Sequence, residues 1–192
     1  MDVVFVIDSS GSIMDNQLPG QNNWNLTTTF ISDVIEAAMD IGYALDHAAL
    51  VEFSSTARVI FDFNSYINDP KGMQYAVLNL GYMGSETNTP AALNLAYQLF
   101  QNTSRGVRTN TAHIMILITD GIVSNAWVKN YLPIIKQIKA AGIATYGESS
   151  LLQPVDFTLK IIVAIKASSI YLYYSIDMFI TFLSVDIYLL FL

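Results

Sequence analysis

Two runs without a polar residue, Val3-Val4-Phe5-Val6-Ile7 and Ile114-Met115-Ile116-Leu117-Ile118, each end directly in an oxygen-rich turn. A strand with one wet face alternates apolar and polar residues. An unbroken short apolar run bounded by turn residues instead reads as a strand buried on both sides, as in a parallel sheet covered by two helix layers. The first run leads into Asp8-Ser9-Ser10-Gly11-Ser12 and the second into Thr119-Asp120-Gly121.

The path between these runs alternates strands with helices, as such a sheet requires. A polar insertion from Asp15 to Asn25 precedes Phe30, Ile31, Val34, Ile35, Ala38 and Met39, whose spacing is helical and which point to a helix ending near Gly42. Ala48 to Phe53 and Arg58 to Phe63 read as strands joined by Ser54-Ser55-Thr56, a connection short enough for a hairpin that sets one antiparallel strand at the sheet edge. Pro70 to Leu80 and Ala91 to Phe100 read as helices, His113 to Ile118 as a central strand, Trp127 to Ala141 as a helix stopped by Gly142, and Ile143 to Tyr146 as the next strand. The expected fold is α/β and doubly wound: a mostly parallel central sheet with one antiparallel edge strand and helices on both faces.

In an open parallel sheet, ligands bind outside the carboxyl ends of the strands near a topological switch point, and Asp8 and Asp120 both end strands. Asp8, Ser10 and Ser12 put one carboxylate and two hydroxyls at alternate positions of one turn. Thr87, in Gly84-Ser85-Glu86-Thr87-Asn88-Thr89-Pro90, adds an oxygen donor from a loop that the fold brings beside them. Hard divalent cations take oxygen ligands and keep several waters, so a site with few carboxylates and several hydroxyls leaves the ion electrophilic towards an outside acid. Such a site binds a partner's carboxylate and performs no chemistry.

At this point the chain resembles a known family. FVIDSSGSI, VEFSSTARVIFDFNSY, GSETNTPAAL and ILITDG, in that order, are similar to the von Willebrand factor type A domain with its metal-ion-dependent adhesion site, and most of all to the A domains of collagens and matrilins. The likeness runs from about Asp2 to Gly147. It implies a Rossmann-like fold, Mg2+ or Mn2+ as the ion, Ser10, Ser12 and Thr87 as hydroxyl ligands, and Asp8 and Asp120 as carboxylates acting mainly through water. It also implies an open coordination position for a Glu or Asp of a protein partner, and cell adhesion or extracellular matrix as the setting. Intracellular scaffolds of the same family, built into larger complexes, are the alternative.

Taken singly, these residues have plainer readings. Ser, Asp and Gly make ordinary turns and caps, Asp120-Gly121 is a common turn dipeptide, and Thr87 can cap the following helix. A Mg2+-dependent hydrolase with Asp8 as nucleophile is disfavoured, because Ser10 stands where such phosphatases need a second Asp. The chain also has no Gly-x-Ser-x-Gly elbow, phosphate loop or His-Glu-x-x-His motif. His47 and His113 precede strands, away from the carboxyl-end loops, and read as structural. A formal charge of −7 opposes nucleic-acid binding. Phe5, Phe53, Phe61 and Phe63 fall in strand patterns and read as core rather than as a stacking platform.

The 192 residues, 53% hydrophobic, fit one domain with a large core, while the absence of cysteine rules out a disulfide framework. Two parts are expected: residues 1–150 as the core with the metal site, and 151–192 as an apolar tail. All ten glycines lie at or before Gly147, and no proline follows Pro154. Thr158 to Ser168, Ile170 to Ser175 and Asp177 to Leu192 can be fitted loosely to a helix, a last strand and a closing helix of the domain; an aberrant extension is the alternative. Lys160, Lys166, Asp177 and Asp186 interrupt the tail's apolar run, which argues against a membrane span. No secretory leader precedes the first strand, so an extracellular role implies a longer parent protein. Two sequons, Asn25-Leu26-Thr27 and Asn102-Thr103-Ser104, add slight weight to that role.

Overall fold

The apolar run behind Met1 becomes strand β1 (Asp2–Asp8), and every one of its residues is buried. The computed structural model describes residues 1–15, 19–20, 22–119, 127–141 and 160–166. Strand β2 (His47–Phe53) pairs with β1 in parallel from Asp2↔His47 to Asp8↔Phe53. Strand β4 (His113–Thr119) pairs with its other side, also in parallel, from Asp2↔His113 to Ile7↔Ile118. Strand β3 (Ala57–Phe61) returns antiparallel on β2 as the expected edge hairpin. Among the described residues the sheet order is β3-β2-β1-β4, with a fifth strand, β5 (Lys160–Lys166), beyond β4.

Side-chain alternation along β1 feeds two separate cores. Val3, Phe5 and Ile7 join Ala48, Leu50, Ile114 and Ile118 beneath helices α2 (Asn23–Ala38) and α3 (Pro70–Leu78). Val4 and Val6 join Val51, Phe53, Met115 and Leu117 on the opposite face, beneath α4 (Thr89–Gln101) and α5 (Val128–Ala140). Fully burying each such side chain stabilises by about 1.5–3 kcal/mol, so β1 alone couples both layers into one structure. The doubly wound, mostly parallel sheet expected from the sequence is present in β1 to β4.

Helix boundaries follow their caps. Asn22 accepts from the Asn25 amide at 2.9 Å, Asp69 from Gly72 at 2.9 Å and Asn88 from Ala91 at 3.2 Å, each satisfying an otherwise orphaned donor. Part of the polar insertion is therefore helix: α2 starts at Asn23 and buries Trp24, Thr27 and Thr28. It ends at Ala38, before Gly42, where Met39 turns extended and is buried in the core.

One sequence expectation is corrected. Lys160–Lys166, within the stretch fitted to a helix, is strand β5, antiparallel to β4 from His113↔Lys166 to Thr119↔Lys160. Ile161, Ile162, Val163 and Ile165 are β-branched, stiff at χ1, and favour a pleated strand over a helix. The expected strand Ile143 to Tyr146, and the segments Ile170 to Ser175 and Asp177 to Leu192, lie outside the described residues. Among the described residues, no helix is long and apolar enough to cross a membrane.

The amino ends of the strands are tied by charge. Asp2 is fully buried, and the Arg108 backbone amide donates to its Oδ2 at 2.7 Å while Arg108 Nε donates to Oδ1 at 2.9 Å. Arg108 Nη1 also donates to the Leu45 carbonyl at 2.7 Å, joining the turns before β2 and β4. Removing one partner of a buried pair strands the other charge, at a cost of about 3–5 kcal/mol. Arg108→Ala should therefore lose on the order of 3 kcal/mol in urea denaturation, with an unchanged slope of stability against denaturant. A loss below about 1 kcal/mol would show that the pair does not tie the fold.

Candidate metal centre

The centre begins with a buried acid. Asp8 closes β1 with no solvent exposure, and a buried carboxylate must have its oxygens satisfied. The Ser10 amide donates to Oδ1 at 2.9 Å, turning the chain sharply off the strand. Thr119 Oγ1, at the end of β4, donates to Oδ2 at 2.6 Å. The carboxylate is thus fixed across the carboxyl ends of the two adjacent central strands.

Beyond the turn, Ser12 lies in the short helix α1 (Gly11–Asp15), and its hydroxyl is 3.2 Å from that of Ser10. Two hydroxyls therefore converge just past the carboxylate. Ser9 points the other way, anchoring the turn by donating from both its amide and its hydroxyl to the Phe53 carbonyl, at 2.8 and 3.1 Å.

Thr87 is brought to the same end of the sheet by stitching on both flanks. Before it, the Gly84 amide donates to Ser9 O and the Gly11 amide to Ser85 O, both at 2.8 Å. Around it, Ser54 Oγ donates to Glu86 O at 3.2 Å, the Asn88 amide to Ser54 O at 2.8 Å and Asn88 Nδ2 to Ser55 O at 3.0 Å. Thr87 is buried between the Asp8–Ser12 turn and the β2-β3 hairpin, while Glu86 is exposed. Gly84 has φ 62°, a conformation that glycine adopts without a Cβ penalty, and an added Cβ would lie 3.0 Å from the Tyr82 ring.

The structure brings Asp8, Ser10, Ser12 and the Thr87 loop to one pole; Asp120, the fifth candidate, lies outside the described residues. Reading the sequence missed Thr119, Ser54 and Tyr82. A threonine directly before Asp120, at the end of an apolar strand, was the available signal for Thr119. Tyr82 donates to Ser10 O at 2.6 Å and Gly11 O at 3.3 Å, and nothing local distinguishes it from a surface aromatic.

Among the described residues, no three His, Cys, Asp or Glu side chains cluster as a metal site would require if built from those types alone. The donor set is hydroxyl-rich, which fits a hard, partly hydrated cation and not a zinc-type nitrogen or sulfur site. Both histidines sit at the opposite pole: His47 Nε2 is 3.2 Å from Tyr43 O, and His113 Nε2 is 2.7 Å from Arg108 O with its ring stacked on Phe100. Neither is near Asp8 to serve as a general base.

Comparison with known proteins gives a consistent result. The von Willebrand factor type A domain family matches over residues 2–178. The collagen alpha-1(XII) chain of Notophthalmus viridescens is 31% identical over 153 residues, covering 78% of this chain and 16% of that protein. Matrilin-1 of Homo sapiens is 32% identical over 120 residues, covering 62% of this chain and 23% of its own length. The chain thus spans less than a quarter of these two relatives. Proximal thread matrix protein 1 from the mussel byssus has a similar fold, with TM-score 0.64 at 18% identity over 74% of this chain and 36% of that chain; a form of it with a zinc-occupied MIDAS motif superposes at 0.56.

The Thr119 contact is directly checkable. Thr119→Val keeps the shape and removes a donor to a buried carboxylate, and hydrogen bonds to charged groups contribute about 1.5–3 kcal/mol. Chemical denaturation should show a loss in that range, with most of it recovered in Thr119→Ser. A Thr119→Val variant as stable as the parent would show that this hydrogen bond does not stabilise the fold.

Proposed function

The chain belongs to the von Willebrand factor type A domain family, and from that premise we propose that it is a divalent-cation-dependent protein-binding domain of the adhesion and matrix type. Asp8, Ser10, Ser12, Thr87 and Asp120 would hold Mg2+ or Mn2+, the hydroxyls directly and the carboxylates mainly through water. The carrying observation is the convergence of the Ser10 and Ser12 hydroxyls, 3.2 Å apart, beyond a carboxylate already fixed by Ser10 and Thr119. Neutral hydroxyl ligands do not cancel the ion's charge. A bound cation therefore supplies an electrophilic point for a Glu or Asp of a partner, and the chain's own residues orient it.

Collagens and matrilins among the relatives support the matrix setting and a non-enzymatic role. No histidine lies at the metal pole to support hydrolysis. We take residues 1–150 as the binding core and 151–192 as its apolar end. Partner choice belongs to the surface around the pole: Met14 to Trp24, Glu86 to Thr89 and Ile122 to Trp127.

Calorimetric titration of Mg2+ and Mn2+ into metal-free protein tests this reading. The parent should bind one ion saturably. Asp8→Ala, which removes a group acting through water and the anchor of the turn, should weaken binding by at least about 10- to 100-fold. Thr87→Ala should weaken it while leaving the fold intact by circular dichroism. A folded parent that takes up neither ion would leave a metal-independent scaffold as the function.

A further inference from the structure

The metal loop is held from outside as well as from the sheet. Tyr82 donates its hydroxyl to the Ser10 carbonyl at 2.6 Å, with the Gly11 carbonyl 3.3 Å away. Its ring packs against Trp24, centroid to centroid 5.5 Å, and Trp24 Nε1 in turn donates to the Leu80 carbonyl at 3.0 Å. Asn23, next to Trp24, donates to the Ile13 carbonyl at 2.8 Å. The carbonyls of residues 10, 11 and 13 are thus fixed by side chains from two other segments. The same turn carries Ser10 and Ser12, whose hydroxyls converge.

We infer that Tyr82, through its hydroxyl, is a positioning residue for the metal loop, and that Trp24 holds Tyr82 in place. The inference rests on the metal-binding reading of Asp8, Ser10, Ser12 and Thr87. Its physical basis is preorganisation. A loop that must be ordered when the ion arrives subtracts that ordering from the binding free energy, whereas a loop ordered beforehand does not. Fixing both peptide carbonyls on either side of Gly11 restricts the most permissive residue in the turn. The Tyr82 hydroxyl bonds to Ser10 and Gly11 go to backbone carbonyls, so their loss acts on the path of the turn.

The test is Tyr82→Phe, which keeps the ring and its packing on Trp24. Mg2+ titration at 25 °C, where parent and variant are both folded, should show affinity weakened about tenfold, equivalent to about 1.4 kcal/mol. The metal-free amide spectrum should show Gly11 and Ser12 shifted or broadened, with the opposite pole around Arg108 unchanged. Trp24→Leu should weaken binding in the same direction although the Tyr82 hydroxyl remains. A parent that binds Mg2+ and a Tyr82→Phe variant that binds it equally well would overturn the positioning role while leaving the metal site standing. A parent that does not bind, alongside an Asp8→Ala variant that behaves identically, would remove the metal reading itself and this inference with it.

Discussion

A carboxylate without solvent contact, at the end of a strand without solvent contact, is tolerable only if its oxygens are engaged. Asp8 meets that condition by accepting from its own turn on one oxygen and from the neighbouring strand on the other. Those two bonds make the local conformation of Ser10 to Ser12 and the lateral association of β1 with β4 parts of one arrangement. Everything at the carboxyl pole of the sheet is built outward from it. Ser9 is directed to β2, Ser10 and Ser12 to one another, and the Thr87 loop is aligned by backbone bonds to Ser9 and Gly11. The two poles of the sheet are thereby specialised, with Asp2 and Arg108 closing the amino ends as an ion pair and Asp8 opening the carboxyl ends as a donor array.

Much of this was legible in the sequence because the signals were local. The unbroken apolar runs of β1 and β4 can only be satisfied by cover on both faces, and the three-residue link Ser54-Ser55-Thr56 forces β3 back on β2. The four motifs and their order pointed to the family and to the place of Asp8, Ser10, Ser12 and Thr87. What stayed hidden was non-local. Tyr82 reaches Ser10 across 72 residues, and Thr119 reaches Asp8 across 111. Neither contact leaves a trace in composition or periodicity.

Boundary shifts had a different origin. The start of α2 was obscured because its first turns are asparagines and threonines, residues that compete with the backbone for hydrogen bonds in turns. Here Asn22 caps the helix, and Thr27 and Thr28 donate back to the Asn23 and Trp24 carbonyls, which lets a polar segment lie against the core. Lys160–Lys166 was fitted to a helix because the family's order of elements, and not the residue types, guided the assignment. Its β-branched residues favour a pleated strand, and it pairs with β4 over seven residues.

The placement of β1 has a mechanical consequence. Its two ladders, seven residue pairs with β2 and six with β4, run in parallel along nearly its whole length. Tension applied along this strand loads both ladders in shear, so their bonds must yield together, whereas the β2-β3 hairpin at the edge can be peeled one pair at a time. Resistance to pulling therefore resides in the same strand that ends in Asp8. A load strong enough to slide β1 against β4 would separate Asp8 from Thr119.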